Sequence, residues 1–328
     1  METTKVELPP PPGIIASLKA GFDAIASHIT AILLPLLLDL FLWLGPRLHI
    51  ETLFNSVKGD MITIWKSAGL SAADIQKMLA DYEKIIPSIN LFWLLRTLPI
   101  GISSMVFSDP SPKTPLGAPI ILQADALSLF GWIFMLTFIG WIGGGLYFRS
   151  VAWVSTGNQE EDRLGILRAV IQTVLLSILW TILSFVIGIP VFLVLSLVLQ
   201  INEFVANIAV LVLSLASMWV VVPIFFWPHG IFIRKQNFLA SGLSSLQMTR
   251  FTLPTSSLFI LTIFLLTVGL NFLWSIPPEN SWMTLLGIFG HAFVTTGLLA
   301  ASFIYYRDMN LWLQKVIERL RPNALKKA

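Results

Sequence analysis

Six long apolar stretches separated by short polar breaks dominate this chain of 328 residues, and its mean hydropathy of +0.80 commits it to a lipid solvent. A bilayer core of about 30 Å takes roughly 20 apolar residues in helical form. The expected fold is therefore all-α, a polytopic bundle forming a single membrane domain over 1–328. Its six spans fall at 25–45, 127–148, 165–188, 204–226, 256–276 and 282–305. After the third, Gly188-Ile189-Pro190 and VFLVLSLVLQ (191–200) extend the apolar run. Proline removes a backbone donor and kinks a helix, so this reads as one bent helix that over-reaches the membrane.

Lysine and arginine set the expected orientation, because cytoplasmic loops collect them. The arm 1–24 has 2, the 149–168 loop 3, the 231–250 loop 3 and the tail 306–328 has 6, while the breaks at Asn202-Glu203 and Pro277–Asn280 have none. The loop between the first two spans carries 7, but also 7 acids, and long loops weigh little in this rule. Both termini are expected in the cytoplasm, with 46–126 as a helical cap outside. The same bias explains the net charge of +3, so no nucleic-acid partner is implied. The segment 91–107, LFWLLRTLPIGISSMVF, is apolar but short and interrupted by Arg96 and Pro99. An arginine in a span costs several kcal/mol unless it snorkels, so this segment reads as interfacial or loop-packing. METTKVELPPPPG lacks the pattern of a signal peptide, so the first apolar segment is expected to stay as a span.

Amphipathic lead-ins precede three pairs of spans: Gly13–His28, Glu160–Gln172 and Phe238–Thr255. The third contains SLQMTRFTL, in which Ser245, Met248, Thr249 and Arg250 stand where an S-x-x-L-T-R turn would have Ser, Leu, Thr and Arg. In this and in the order of elbows and spans, the chain resembles the membrane domains of the glycerophosphodiester phosphodiesterase membrane-domain group and related six-helix bacterial proteins. In that group catalysis belongs to a separate soluble barrel, for which this chain has no room. The resemblance thus implies an anchoring or accessory membrane module without phosphodiesterase activity, in a bacterial plasma membrane.

Asp39 is the sharpest chemical feature, lying six residues from the outer end of the first span, at a depth of about 9 Å. An ionisable residue at that depth is a functional candidate. Its expected partners by depth are His291 and Asn271, in the outer halves of their own spans. An Asp–His pair suits a proton relay or cation site, since histidine titrates near neutrality; the plainer reading is a hydrogen-bonded acid that glues two helices. Gly140, Gly143, Gly144 and Gly145 sit within a span, where small residues permit close approach. Thr173, Ser177, Thr181 and Ser184 form a polar stripe suited to bonds between helices. The tail presents Trp312, Leu313, Val316, Ile317 and Leu320 beside Lys315, Arg319, Arg321, Lys326 and Lys327, a pattern for the anionic inner leaflet or for a docking partner.

No cysteine is present, the four histidines form no HxxxH pair, and no phosphate loop or serine–base arrangement occurs. No metal, cofactor or catalytic role is expected. The leading expectation is a non-enzymatic scaffold or accessory subunit, with a membrane protein or a second copy as partner. The alternative is a small-solute or ion permease with its site near Asp39 and His291.

Overall fold

A computed structural model describes residues 9–105, 114–157 and 164–325, with side chains throughout except at 218 and 320–325. It is a helical bundle. Five helices are long and apolar enough to cross a membrane, and a sixth crossing exists if one sharply bent pair counts as a span.

The bent pair opens the fold. Helix α1 (Ile14–Ser27) ends at His28, a tight turn follows at Ile29–Ile32, and α2 (Leu33–Leu44) leaves at 97°. Residues 25–28 thus belong to the lead-in rather than to the first crossing. Gly21 brings the backbone of α1 against Ala301, and Gly297 receives the Phe22 ring. α1 is thereby laid on α9 (Thr284–Leu325) instead of continuing the line of α2.

The remaining long helices are α5 (Ala126–Ser155), α6 (Ile166–Ile201), α7 (Glu203–Ile233) and α8 (Phe238–Trp274). α5 begins with a capping box, in which Asp125 and Ser128 exchange side-chain-to-backbone hydrogen bonds. α6 runs unbroken through Pro190 for 36 residues, about 54 Å at the helical rise. α9 likewise continues from span to tail without a break.

The third lead-in is the first part of α8 itself. Its Ser241 donates to the Trp227 carbonyl and its Ser245 to the Pro223 carbonyl at 2.5 Å, two hydroxyls one turn apart on two carbonyls one turn apart. Yet Phe259 of the same helix stacks on Phe226, with ring centroids 6.5 Å apart. A straight helix would hold residues 241 and 259 about 27 Å apart, too far for both to reach neighbouring residues of α7. The helix therefore curves between them, and Pro254, which frees a carbonyl from the ladder, lies in that stretch.

Between α2 and α5 lies the cap: α3 (Glu51–Ser67), α4 (Ala72–Ile85) and two three-residue parallel strands, β1 (Arg47–His49) and β2 (Ile121–Gln123). Ser71 caps α4 by accepting from the Asp74 amide at 3.2 Å. Asn90 accepts from the Leu48 and Phe92 amides and so ties the strand to the next segment. The strands are an addition to the all-α expectation. Three residues each are too few to leave an alternating pattern in the sequence.

Candidate functional site

Residues 91–105 decide the geometry of the site. After a short helical turn at Leu91–Leu95 the chain descends along α5, and the α5 glycines make room for it. A Cβ on Gly140 would lie 2.5 Å from Thr97 Cγ2, and one on Gly144 would lie 2.8 Å from both Gly101 Cα and the Ile100 carbonyl. Gly143 faces Ile102, while Gly145 faces Thr173 of α6. Three of the four glycines thus face this inserted segment and one faces another long helix. The tip, Leu98-Pro99, shares a cavity with Phe148 and His229, seven residues before the end of α5 and four before the end of α7. The chain then returns through Ile100–Met105 to meet α2.

There Asp39 receives it. Asp39 Oδ1 accepts from the Ser104 hydroxyl at 2.5 Å and from the Met105 amide at 2.9 Å. Oδ2 accepts from His291 Nδ1 at 3.1 Å. The carboxyl group is 0% exposed and the imidazole 5%. Three donors thus converge on one buried acid and take the place of the hydrogen bonds that water would give it. Arg96, on the same segment, donates to the Met105 carbonyl at 2.8 Å and stacks over Trp93. Burial pulls its guanidinium below the ordinary range, and the charge of Asp39 opposes that shift.

A second hydrogen-bonded pair lies alongside. Tyr147 and Thr296 hydroxyls meet at 2.9 Å, and Thr296 donates onward to the Ala292 carbonyl at 2.6 Å, so the tyrosine is the donor between them. Tyr147 also sits beside Ser103. The inserted segment is therefore pinned on both flanks by polar groups in an otherwise apolar core. Neither Asp39 nor His291 lines any of the three described cavities. The pair is buried and packed, an arrangement that can hold a segment in place.

Of the residues expected together, Asp39 and His291 meet and Asn271 does not join them. Asn271 is half-buried on α8, and none of Asp39's hydrogen bonds reaches it. Depth along a span fixes the level of a residue but not its position around the bundle, and α2 packs on the His291 face of α9. Ser104, the Met105 amide and Arg96 were not foreseen as part of the site. The signal for them was present: a cation, a proline and a glycine inside a short apolar run suit a segment that enters and returns.

In the tail, Lys315 and Arg319 are exposed, whereas Met309 is fully buried and Trp312 donates to the Pro9 carbonyl at 2.7 Å. Part of the face expected to meet lipid thus rests on the N-terminal arm. The Arg321 side chain, Lys326 and Lys327 lie outside the described residues, as does the acidic cluster 160–163. Thr173 and Ser177 of the polar stripe are fully buried with hydroxyls that complete no hydrogen bond, and Thr181 turns back onto the Ser177 carbonyl. Among the described residues no group of three or more His, Asp or Glu side chains gathers as a metal site would require. No protein-family model, curated protein or solved structure matches the chain.

Proposed function

We propose that the chain is a non-enzymatic integral membrane module, a scaffold or accessory subunit of a larger membrane assembly. It would have six spans and both termini on the cytoplasmic side of a bacterial plasma membrane. The observation that carries this reading is the contrast between two surfaces. Both oxygens of Asp39 are hydrogen-bonded, and none of the described cavities is lined by it. The outer halves of α6 and α7, by contrast, leave large side chains unpacked, with Phe185, Phe192, Phe204 and Trp219 between 62% and 72% exposed. Such a two-helix flank suits lateral contact with other spans as well as with lipid.

The natural absence of cysteine makes the test direct. Single cysteines at Phe192 and Phe204 would be cross-linked in native membranes, with one at Leu286 of α9 as comparison. Specific adducts with another protein or a second copy are expected from α6 and α7. Adducts no more frequent there than at Leu286 would overturn the reading. Cysteines placed at 4 and 60 test the orientation. Labelling of position 4 from outside, with 60 protected, would refute it.

The permease reading has one observation in its favour, the Asp39–His291 contact itself. It requires that Asp39→Asn abolish a solute or proton flux that the reconstituted protein sustains.

A further inference from the structure

Helices α1 and α9 meet closely at Gly21 and Ala301, where backbone lies against backbone. Toward the start of α1 they leave a cavity of about 550 Å³, with Ala16 and Ala20 on one wall and Ile304 and Leu311 on the other. Pro9, Pro10 and Pro12 also border this space, so the N-terminal arm crosses its edge from α1 to Trp312. There the indole Nε1 donates to the Pro9 carbonyl at 2.7 Å. The arm is anchored across the cavity without filling it.

The sequence of the arm suits this task. Four consecutive prolines, Pro9 to Pro12, have fixed φ angles and no N–H groups. Gly13 continues the extended backbone at φ −74° and ψ 134°, and α1 begins directly after it. Four extended residues of this kind span about 12 Å. Such a segment makes no internal hydrogen bonds, so its carbonyls await an outside donor. It also loses little freedom on docking, which is why proline-rich segments bind well to aromatic surfaces. Trp312 offers both parts of that recognition, an aromatic face and an N–H. Around it the extension of α9 is poorly covered, with Leu311, Gln314, Lys315 and Ile317 exposed. A short helix is marginal in water on its own, so a contact at Trp312 bears on the order of the whole extension.

We propose that Trp312 and the adjoining cavity form a docking site for proline-rich segments, which residues 9–12 occupy in cis as a releasable strap over the extension of α9. While the strap is docked, the site is closed to other chains. Where another chain supplies the proline-rich segment, the site gives the accessory-subunit reading a partner chemistry and rests on that reading. The strap itself does not.

The test follows hydrogen exchange of peptides covering 313–319 in the full chain in nanodiscs. Replacing all four prolines of the arm by glycine keeps the carbonyls but makes docking entropically dearer, and exchange there should quicken about tenfold or more. Trp312→Phe keeps an aromatic face and loses the N–H, one hydrogen bond, for an increase of about tenfold. A synthetic peptide with the sequence of residues 8–13, at millimolar concentration, should restore slow exchange in the glycine-arm protein and have no effect on Trp312→Phe. Unchanged exchange in the glycine-arm protein would overturn the strap. An equal rise along 285–300 would overturn it too, because the strap touches only the extension. Failure of the peptide to restore protection would overturn the docking site. None of these outcomes depends on cross-links from α6 and α7, so failure here and failure of the accessory-subunit reading are distinguishable.

Discussion

Replacing Asp39 separates the work of its charge from the work of its shape. In Asp39→Asn the amide oxygen can keep the Ser104 hydroxyl and the Met105 amide, while the new NH₂ faces His291 Nδ1. A neutral imidazole can move its hydrogen to Nε2 and accept at Nδ1, so what is lost is the difference between a carboxyl and an amide oxygen as acceptors, about 1–2 kcal/mol in all. Asp39→Leu is nearly the same size but offers no acceptor. It strands the buried Met105 amide and His291 N–H, while the Ser104 hydroxyl can rotate to seek another acceptor. At about 1–3 kcal/mol for each stranded donor, the loss is about 2–6 kcal/mol. Since 1.4 kcal/mol is a factor of ten, local opening of the inserted segment should rise about tenfold in Asn and about a hundredfold or more in Leu. Hydrogen exchange of peptides covering 94–105, followed by mass spectrometry in detergent, reads that opening directly. Peptides from the outer part of α6 should exchange alike in all three proteins. If Leu and Asn were indistinguishable in 94–105, or if exchange rose equally throughout the bundle, the view of Asp39 as the latch of this segment would fail.

Other outcomes follow from single contacts. Gly144→Ala should destabilise by about 1–3 kcal/mol, because the added methyl meets backbone at Gly101 and Ile100, while Gly143→Ala meets only the flexible end of Ile102 and should be nearly silent; thermal unfolding in one detergent compares them. Ser245→Ala removes the donor to the Pro223 carbonyl and should cost about 1 kcal/mol in the same assay, with Ser245→Thr retaining most of it. In the cap, burial and the neighbouring Arg47 push His49 below its ordinary value of 6.5, with Glu51 opposing. Its neutral form is therefore favoured on folding, so this contribution is complete above about pH 6.5 and is lost as pH falls through the lower folded value. Protease resistance of 47–90 should drop on acidification more in the natural protein than in His49→Asn, and an equal drop would dismiss His49 as the cause.

The sequence shows the long helices because their apolar windows exceed any strand or surface helix, and it singles out Asp39 and His291 because charge at depth is rare. Their meeting at 3.1 Å follows from matched depth, but the same reasoning paired Asn271 with them, and rotation about the bundle undid that. The turn at His28 leaves little mark in composition, since both arms are apolar and helical. Ser104 is invisible as a ligand until the chain around it folds back, for nothing in a serine's neighbours tells which way a returning segment faces. The bend in α8 is half legible: Pro254 announces a break, while its extent emerges only from Ser241 and Phe259 reaching the same part of α7.

The turn at His28 also bears on the surrounding bilayer. If the bent pair is one of the crossings, only the 16 residues of Ile29–Leu44 remain beyond the turn, about 24 Å against a hydrocarbon core of about 30 Å. Leu33 and Leu37 on that arm face outward, so lipid meets a short wall there. Along α6 the wall is about 54 Å and apolar almost to its end. One flank draws the leaflets together, and the other must tilt or push them apart. A membrane holding this protein is therefore not of one thickness around its rim. Each copy with that crossing would carry a gradient of bilayer strain around its rim.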